Sequence, residues 1–106
     1  MSDFIKSVDV KTMVNLYCDG KVQSRTLRYS DGRVQTLGVY LPGDFEFHSD
    51  SEEKVLITAG CVEVFFPSDS DWRQVKTNET YNVPANTIFK VRCREIAEYI
   101  CDFLQQ

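Results

Sequence analysis

Histidine is almost missing from this chain: His48 is the only one among 106 residues. A metal centre or relay built on several imidazoles is therefore excluded. The four cysteines, Cys18, Cys61, Cys93 and Cys101, stand far apart and include no C-x-x-C pair. That spacing excludes the usual zinc-cluster signature and reads as free, mostly buried thiols in a reducing, cytoplasmic compartment. No apolar run approaches the ~20 residues that cross a bilayer, so no membrane is expected as a partner. The acidic opening Met1-Ser2-Asp3-Phe4 lacks the apolar stretch of a signal peptide. Positive charge is scarce too. Twelve Lys and Arg against sixteen Asp and Glu leave a net charge of −4, which argues against a nucleic-acid polymer as partner. No segment keeps a 3.6-residue apolar period over ten positions, which excludes a long amphipathic helix.

What remains is a chain with 42% hydrophobic and 12% aromatic residues, ample for a packed core. Its length predicts one domain, spanning 1–106, with residues 1–15 as a short N-terminal strand or arm. Short alternating runs follow one another between turn signals. Val22 to Tyr29 alternates, Asp31-Gly32 is a hairpin cue, and Val34 to Leu41 follows it. Pro42-Gly43 is a turn signal before Asp44–His48. After the polar loop Ser49-Asp50-Ser51-Glu52-Glu53 come Val55–Thr58, the turn Ala59-Gly60, and Cys61–Phe66, ended by Pro67. Thr80–Val83, Ile88–Arg94 and Glu98–Leu104 complete the set. Turns every ~8–12 residues predict an all-β antiparallel sandwich or barrel of jelly-roll type.

The order of motifs resembles the small, single-domain cupins of the pyrimidine/purine nucleoside phosphorylase family. The residues that carry this are Gly20-Lys21-Val22, Ser24-Arg25-Thr26, Thr36-Leu37-Gly38-Val39, Pro42-Gly43, Phe47, Glu53 and Gly60. Pro67, Trp72, Val83-Pro84-Ala85-Asn86, Phe89, Val91, Tyr99 and Cys101 continue it. The resemblance spans roughly residues 15–103. It implies a cupin-type antiparallel jelly-roll barrel, a homodimer, and phosphate-dependent cleavage of purine and pyrimidine nucleosides to free base and ribose 1-phosphate. The departures are Tyr40, where these proteins usually carry Met, the loop His48-Ser49-Asp50, and Leu56.

The general cupin pattern delivers three histidines and a glutamate to one metal. Here Glu53 and Gly60 keep the E-x6-G spacing and His48 precedes Glu53 at the right distance. Glu46 takes the place of the first histidine, and Phe89 stands where the last would be. Phenylalanine cannot ligate, so at most a weak set of Glu46, His48 and Glu53 remains. Phe45 and Phe47 form the apolar face of that strand, which turns Glu46 and His48 away from a dry core. The expectation is no metal and no cofactor, with phosphate as a co-substrate.

Phosphorolysis at C1′ needs an anion cradle, hydrogen bonds to the ribose, and help for the departing base. Glu53 and Arg25 are the catalytic candidates. Glu53 would hold ribose hydroxyls or assist the base if burial raised its pKa. Arg25 would grip phosphate bidentately, with Ser24 and Thr26 as hydroxyl donors. On a regular strand Ser24 and Thr26 point opposite to Arg25, so the three share a pocket only across a bulge. Arg92 competes as anion binder but alternates with Phe89 and Val91. A pocket that accepts every base should rely on stacking, for which Phe89, Tyr81, Tyr99 and Trp72 are candidates. Two other readings stay open: a metal-dependent cupin oxygenase or isomerase, and a non-catalytic cupin that binds a small molecule.

Overall fold

The computed structural model describes residues 3–104. The chain forms β1 (Val8–Val10), β2 (Asn15–Tyr17), β3 (Val22–Tyr29), β4 (Val34–Tyr40), β5 (Gly43–His48) and β6 (Glu53–Ala59). It continues as β7 (Cys61–Phe65), β8 (Arg73–Lys76), β9 (Thr80–Val83), β10 (Ile88–Cys93) and β11 (Ala97–Phe103). A 3-10 turn, Cys18–Gly20, leads from β2 toward β3. No helix among the described residues is long and apolar enough to cross a membrane.

The strands make two antiparallel sheets that face each other, as the turn spacing predicts. The larger has the order β1-β3-β4-β11-β6-β9, with β2 also pairing on β3; the smaller has the order β5-β10-β7-β8. The expected arm is thus two short strands laid along β3, while residues 1–2 of it lie outside the described residues.

Alternation decides which side chains meet between the sheets. From β10, Phe89, Val91 and Cys93 are buried, and from β11, Tyr99 and Cys101. Val62 and Val64 of β7, Val75 of β8 and Phe45 of β5 close the same cluster. β8 has no strand counterpart in the sequence reading, because Val75 is its only apolar residue. It forms because β7 offers an edge, with Val75 opposite Val62. Gly60 turns β6 into β7 with φ +80, and a Cβ there would lie 2.7 Å from the Ile96 carbonyl oxygen. Both the left-handed backbone and that close approach demand glycine.

Candidate functional site

One end of the space between the sheets is left unfilled, as a cavity of about 340 Å³. The strand register explains what surrounds it. Across the larger sheet, Ser24, Gly38, Tyr99 and Ile57 form one row. Thr36, Cys101, Val55 and Tyr81 form the next. Phe103, Glu53 and Val83 form a third. Gly38 matters here through its missing Cβ, which would sit 2.5 Å from Cζ of Tyr99. The tyrosine ring crosses the sheet over that gap and reaches Tyr40, with ring centroids 4.5 Å apart. A register shift at Glu98/Tyr99 breaks the β6–β11 ladder beside this ring, a common device next to functional sites.

The wall toward the smaller sheet is aromatic. Phe47 and Phe89 pair across β5 and β10 with centroids 5.7 Å apart, and Phe66 stacks on Phe89 at 5.1 Å and 13°. Deep in the cavity the Tyr40 and Tyr81 hydroxyls meet at 2.9 Å. The mouth carries His48, Asp50, Ser51 and the half-exposed Phe103. Its loop is pinned by Ser49, whose hydroxyl donates to the Pro84 carbonyl at 2.6 Å and accepts from the Thr87 N–H at 3.0 Å.

Glu53 is the carboxylate on the wall. Burial raises its pKa above the ordinary value, a Cys101 hydrogen bond offsets part of this, and Asp50 adds to the rise. The Cys101 thiol donates to Oε1 of Glu53 at 3.5 Å. Its own pKa is driven up by burial and by Glu53, so it stays a thiol rather than a nucleophilic thiolate. Tyr40, Tyr81 and Tyr99 are raised chiefly by burial as well, which leaves all three as neutral O–H groups.

The sequence-derived candidates divide cleanly. Glu53, Ser24, Phe89, Tyr81 and Tyr99 are brought together around the cavity. Arg25 is not: the β3–β4 register runs without a bulge, so Arg25 points out while Ser24 points in. Its guanidinium donates to the Thr12 carbonyl on the outer surface. Thr26 lies beyond the cavity wall and accepts a 3.0 Å bond from the Asn15 amide. Trp72 is on the far side of the smaller sheet, packed on Phe65 and under the Arg92 guanidinium, which sits 3.9 Å from its ring centre. Arg92 itself is committed to Glu63 at 2.9 Å. Glu46 is exposed on the outer face opposite Lys90, so the set Glu46, His48 and Glu53 does not converge. Among the described residues no three His, Cys, Asp or Glu side chains gather at metal-binding distance.

Sequence reasoning missed Tyr40, Thr36 and Phe47 as wall residues, and Cys101 as the partner of Glu53. Their signal was alternation with known inward neighbours, Thr36 and Tyr40 flanking Gly38 at two-residue spacing. No Lys or Arg from the described residues lines the cavity; its charged or basic side chains are Glu53, Asp50 and His48.

Comparison with other proteins bears on this geometry. The family model described as pyrimidine/purine nucleoside phosphorylase matches residues 12–103. A pyrimidine/purine nucleoside phosphorylase of Hydrogenovibrio crunogenus is 39% identical over 98% of this chain and 99% of its own length. One from Geotalea uraniireducens is also 39% identical, with the same coverage of both chains. Among solved structures, a protein of unknown function from Acinetobacter sp. ADP1 superposes with a TM-score of 0.93 at 28% identity, covering 97% of this chain and 100% of that one. A cupin superfamily protein from Desulfitobacterium hafniense, 18% identical, superposes with a TM-score of 0.67 over 87% of this chain and 84% of that one. That likeness identifies the barrel as cupin-type.

Proposed function

The chain belongs to the pyrimidine/purine nucleoside phosphorylase family, and from that premise we propose that it cleaves purine and pyrimidine nucleosides with phosphate. The C1′–N bond breaks and its electron pair leaves with the base. A phosphate oxygen bonds to C1′, and the proton of hydrogenphosphate ends on the base nitrogen. The products are free base and ribose 1-phosphate.

The observation that carries this reading is the half-buried Glu53 carboxyl on a small cavity that has aromatic rings on one wall and hydroxyls on the other. A volume of about 340 Å³ lies toward the lower end of the roughly 300–1,000 Å³ of small-molecule pockets. The Phe47 and Phe89 rings, with Phe66 stacked on Phe89 outside the cavity lining, offer a stacking surface that does not distinguish one base from another. Glu53, with its pKa raised by burial, suits the ribose hydroxyls and the proton that passes from phosphate to base. Ser24 and Thr36 add hydroxyl donors on the same wall, and His48, paired with Asp50 at 3.5 Å, is the basic side chain at the mouth.

No metal and no cofactor enters this scheme; phosphate is a co-substrate. Exposed Val10, Leu16 and Leu37 on the outside of the larger sheet support a homodimer. Four free cysteines suit a cytoplasmic setting.

The test is base release from uridine and adenosine, with and without added phosphate, with ribose 1-phosphate measured in parallel. Turnover that requires phosphate and survives chelation is expected. Release independent of phosphate, or none across the common nucleosides, refutes the proposal.

A further inference from the structure

Tyr40 and Tyr81 arrive from β4 and β9, strands at different places in the larger sheet, and both are all but fully buried against the cavity. Their hydroxyl oxygens lie 2.9 Å apart, and either can be the donor. Each phenol brings one hydrogen, and the single bond between them uses only one. Whichever residue donates, the other keeps a hydrogen for which no protein acceptor is present among the described residues. A buried donor without an acceptor costs stability, so this hydrogen is available to whatever fills the cavity, water or a bound molecule. Burial raises both phenols far above neutrality, so the pair stays a donor and does not turn into a base.

A fixed O–H donor in a site for many nucleosides must find an acceptor that all of them share. The outer edges of the bases alternate donors with acceptors and differ from one base to the next. The position beside the sugar-bearing nitrogen does not vary in this way, because purine N3 and pyrimidine O2 both accept. That atom also gains electron density as the glycosidic bond breaks.

We propose that the Tyr40–Tyr81 hydroxyl pair donates its unused hydrogen to purine N3 or pyrimidine O2, and so both tolerates any base and stabilises it as it leaves. The inference rests on the nucleoside phosphorylase reading. The hydroxyl lends a hydrogen bond and keeps its proton, since the proton on the product base comes from hydrogenphosphate. As negative charge builds on the base, the bond becomes charge-assisted in a water-poor pocket, where it gains most.

The test compares adenosine with 3-deazaadenosine, which replaces the N3 acceptor with C–H. The unmodified protein should cleave 3-deazaadenosine about ten- to a hundredfold less efficiently. The double variant Tyr40→Phe/Tyr81→Phe removes both partners together, which leaves no orphaned hydroxyl and is close to neutral for folding. It should treat the two nucleosides alike, within about threefold. Calorimetric affinities for adenine and 3-deazaadenine give the same comparison without turnover. Absence of phosphorolysis alongside a preserved preference for adenine would overturn the reaction and leave the donor standing. Equal handling of the two compounds by the unmodified protein, or a preference that survives in the double variant, overturns the donor.

Discussion

Gly38→Ala should destabilise this protein and damage its cavity together. In an ordinary strand the exchange is favourable, since alanine restricts the unfolded chain and gains about 0.4–1 kcal/mol. Here the new methyl would meet Cζ of Tyr99 at 2.5 Å, its hydroxyl oxygen at 2.6 Å and the Gln23 carbonyl oxygen at 2.6 Å. The ring could rotate away, but the carbonyl belongs to the adjacent strand β3 and is held by its ladder. Overpacking of this kind costs about 1–3 kcal/mol, and two obstacles place it at the upper end. The net loss is then about 2 kcal/mol, or a fall in Tm of about 8 °C for a chain of this size. Thermal unfolding followed by circular dichroism measures it. Because the displaced ring is a cavity wall, kcat/KM of the surviving folded protein should fall as well. A cycle with Tyr99→Ala divides the cost: about half of the Gly38→Ala penalty should vanish once the ring is gone, the rest being the carbonyl clash. An unchanged or higher Tm would refute the packing argument.

Other expectations concern charge. Burial raises the Glu53 pKa from its ordinary 4.5, so the folded state holds this proton more tightly than the unfolded chain. Its contribution to stability is therefore complete below pH about 4.5 and is lost as pH rises through the raised value. Glu53→Gln should remove that dependence, so the Tm of the variant minus that of the parent grows from acid to neutral pH; a constant difference would refute the shift. The same variant should lower kcat at least about tenfold, as the loss of a proton-transferring group does, and phosphorolysis assays at saturating phosphate measure this. Arg25→Ala should leave the KM for phosphate within about threefold, since the side chain lies on the outer surface. A rise of a hundredfold would return Arg25 to the phosphate site.

How much of the site was legible depended on which physical rule governed each residue. Strand alternation put Phe89 and Val91 on one face and Arg92 on the other, and the structure agrees. It also separated Ser24 from Arg25, and the bulge that would have reunited them does not exist. Trp72 was misplaced because aromatic character does not reveal a side of a sheet: the loop before β8 delivers it to the outer surface, where Arg92 covers it. The strand β8 itself was invisible, since one valine makes no pattern and an edge to pair with is supplied only by β7.

The sequence alone determined the all-β architecture, the turns and the family resemblance, because these follow from local period, turn chemistry and motif order. Tertiary structure decided the pocket. Tyr40 and Tyr81 are forty-one positions apart along the chain, and Glu53 and Cys101 forty-eight. Only the strand order β4-β11-β6-β9 brings them to one wall. The raised carboxyl and the unused phenolic hydrogen both arise from burial between sheets, and burial is a property of the assembled barrel that no local stretch of residues contains.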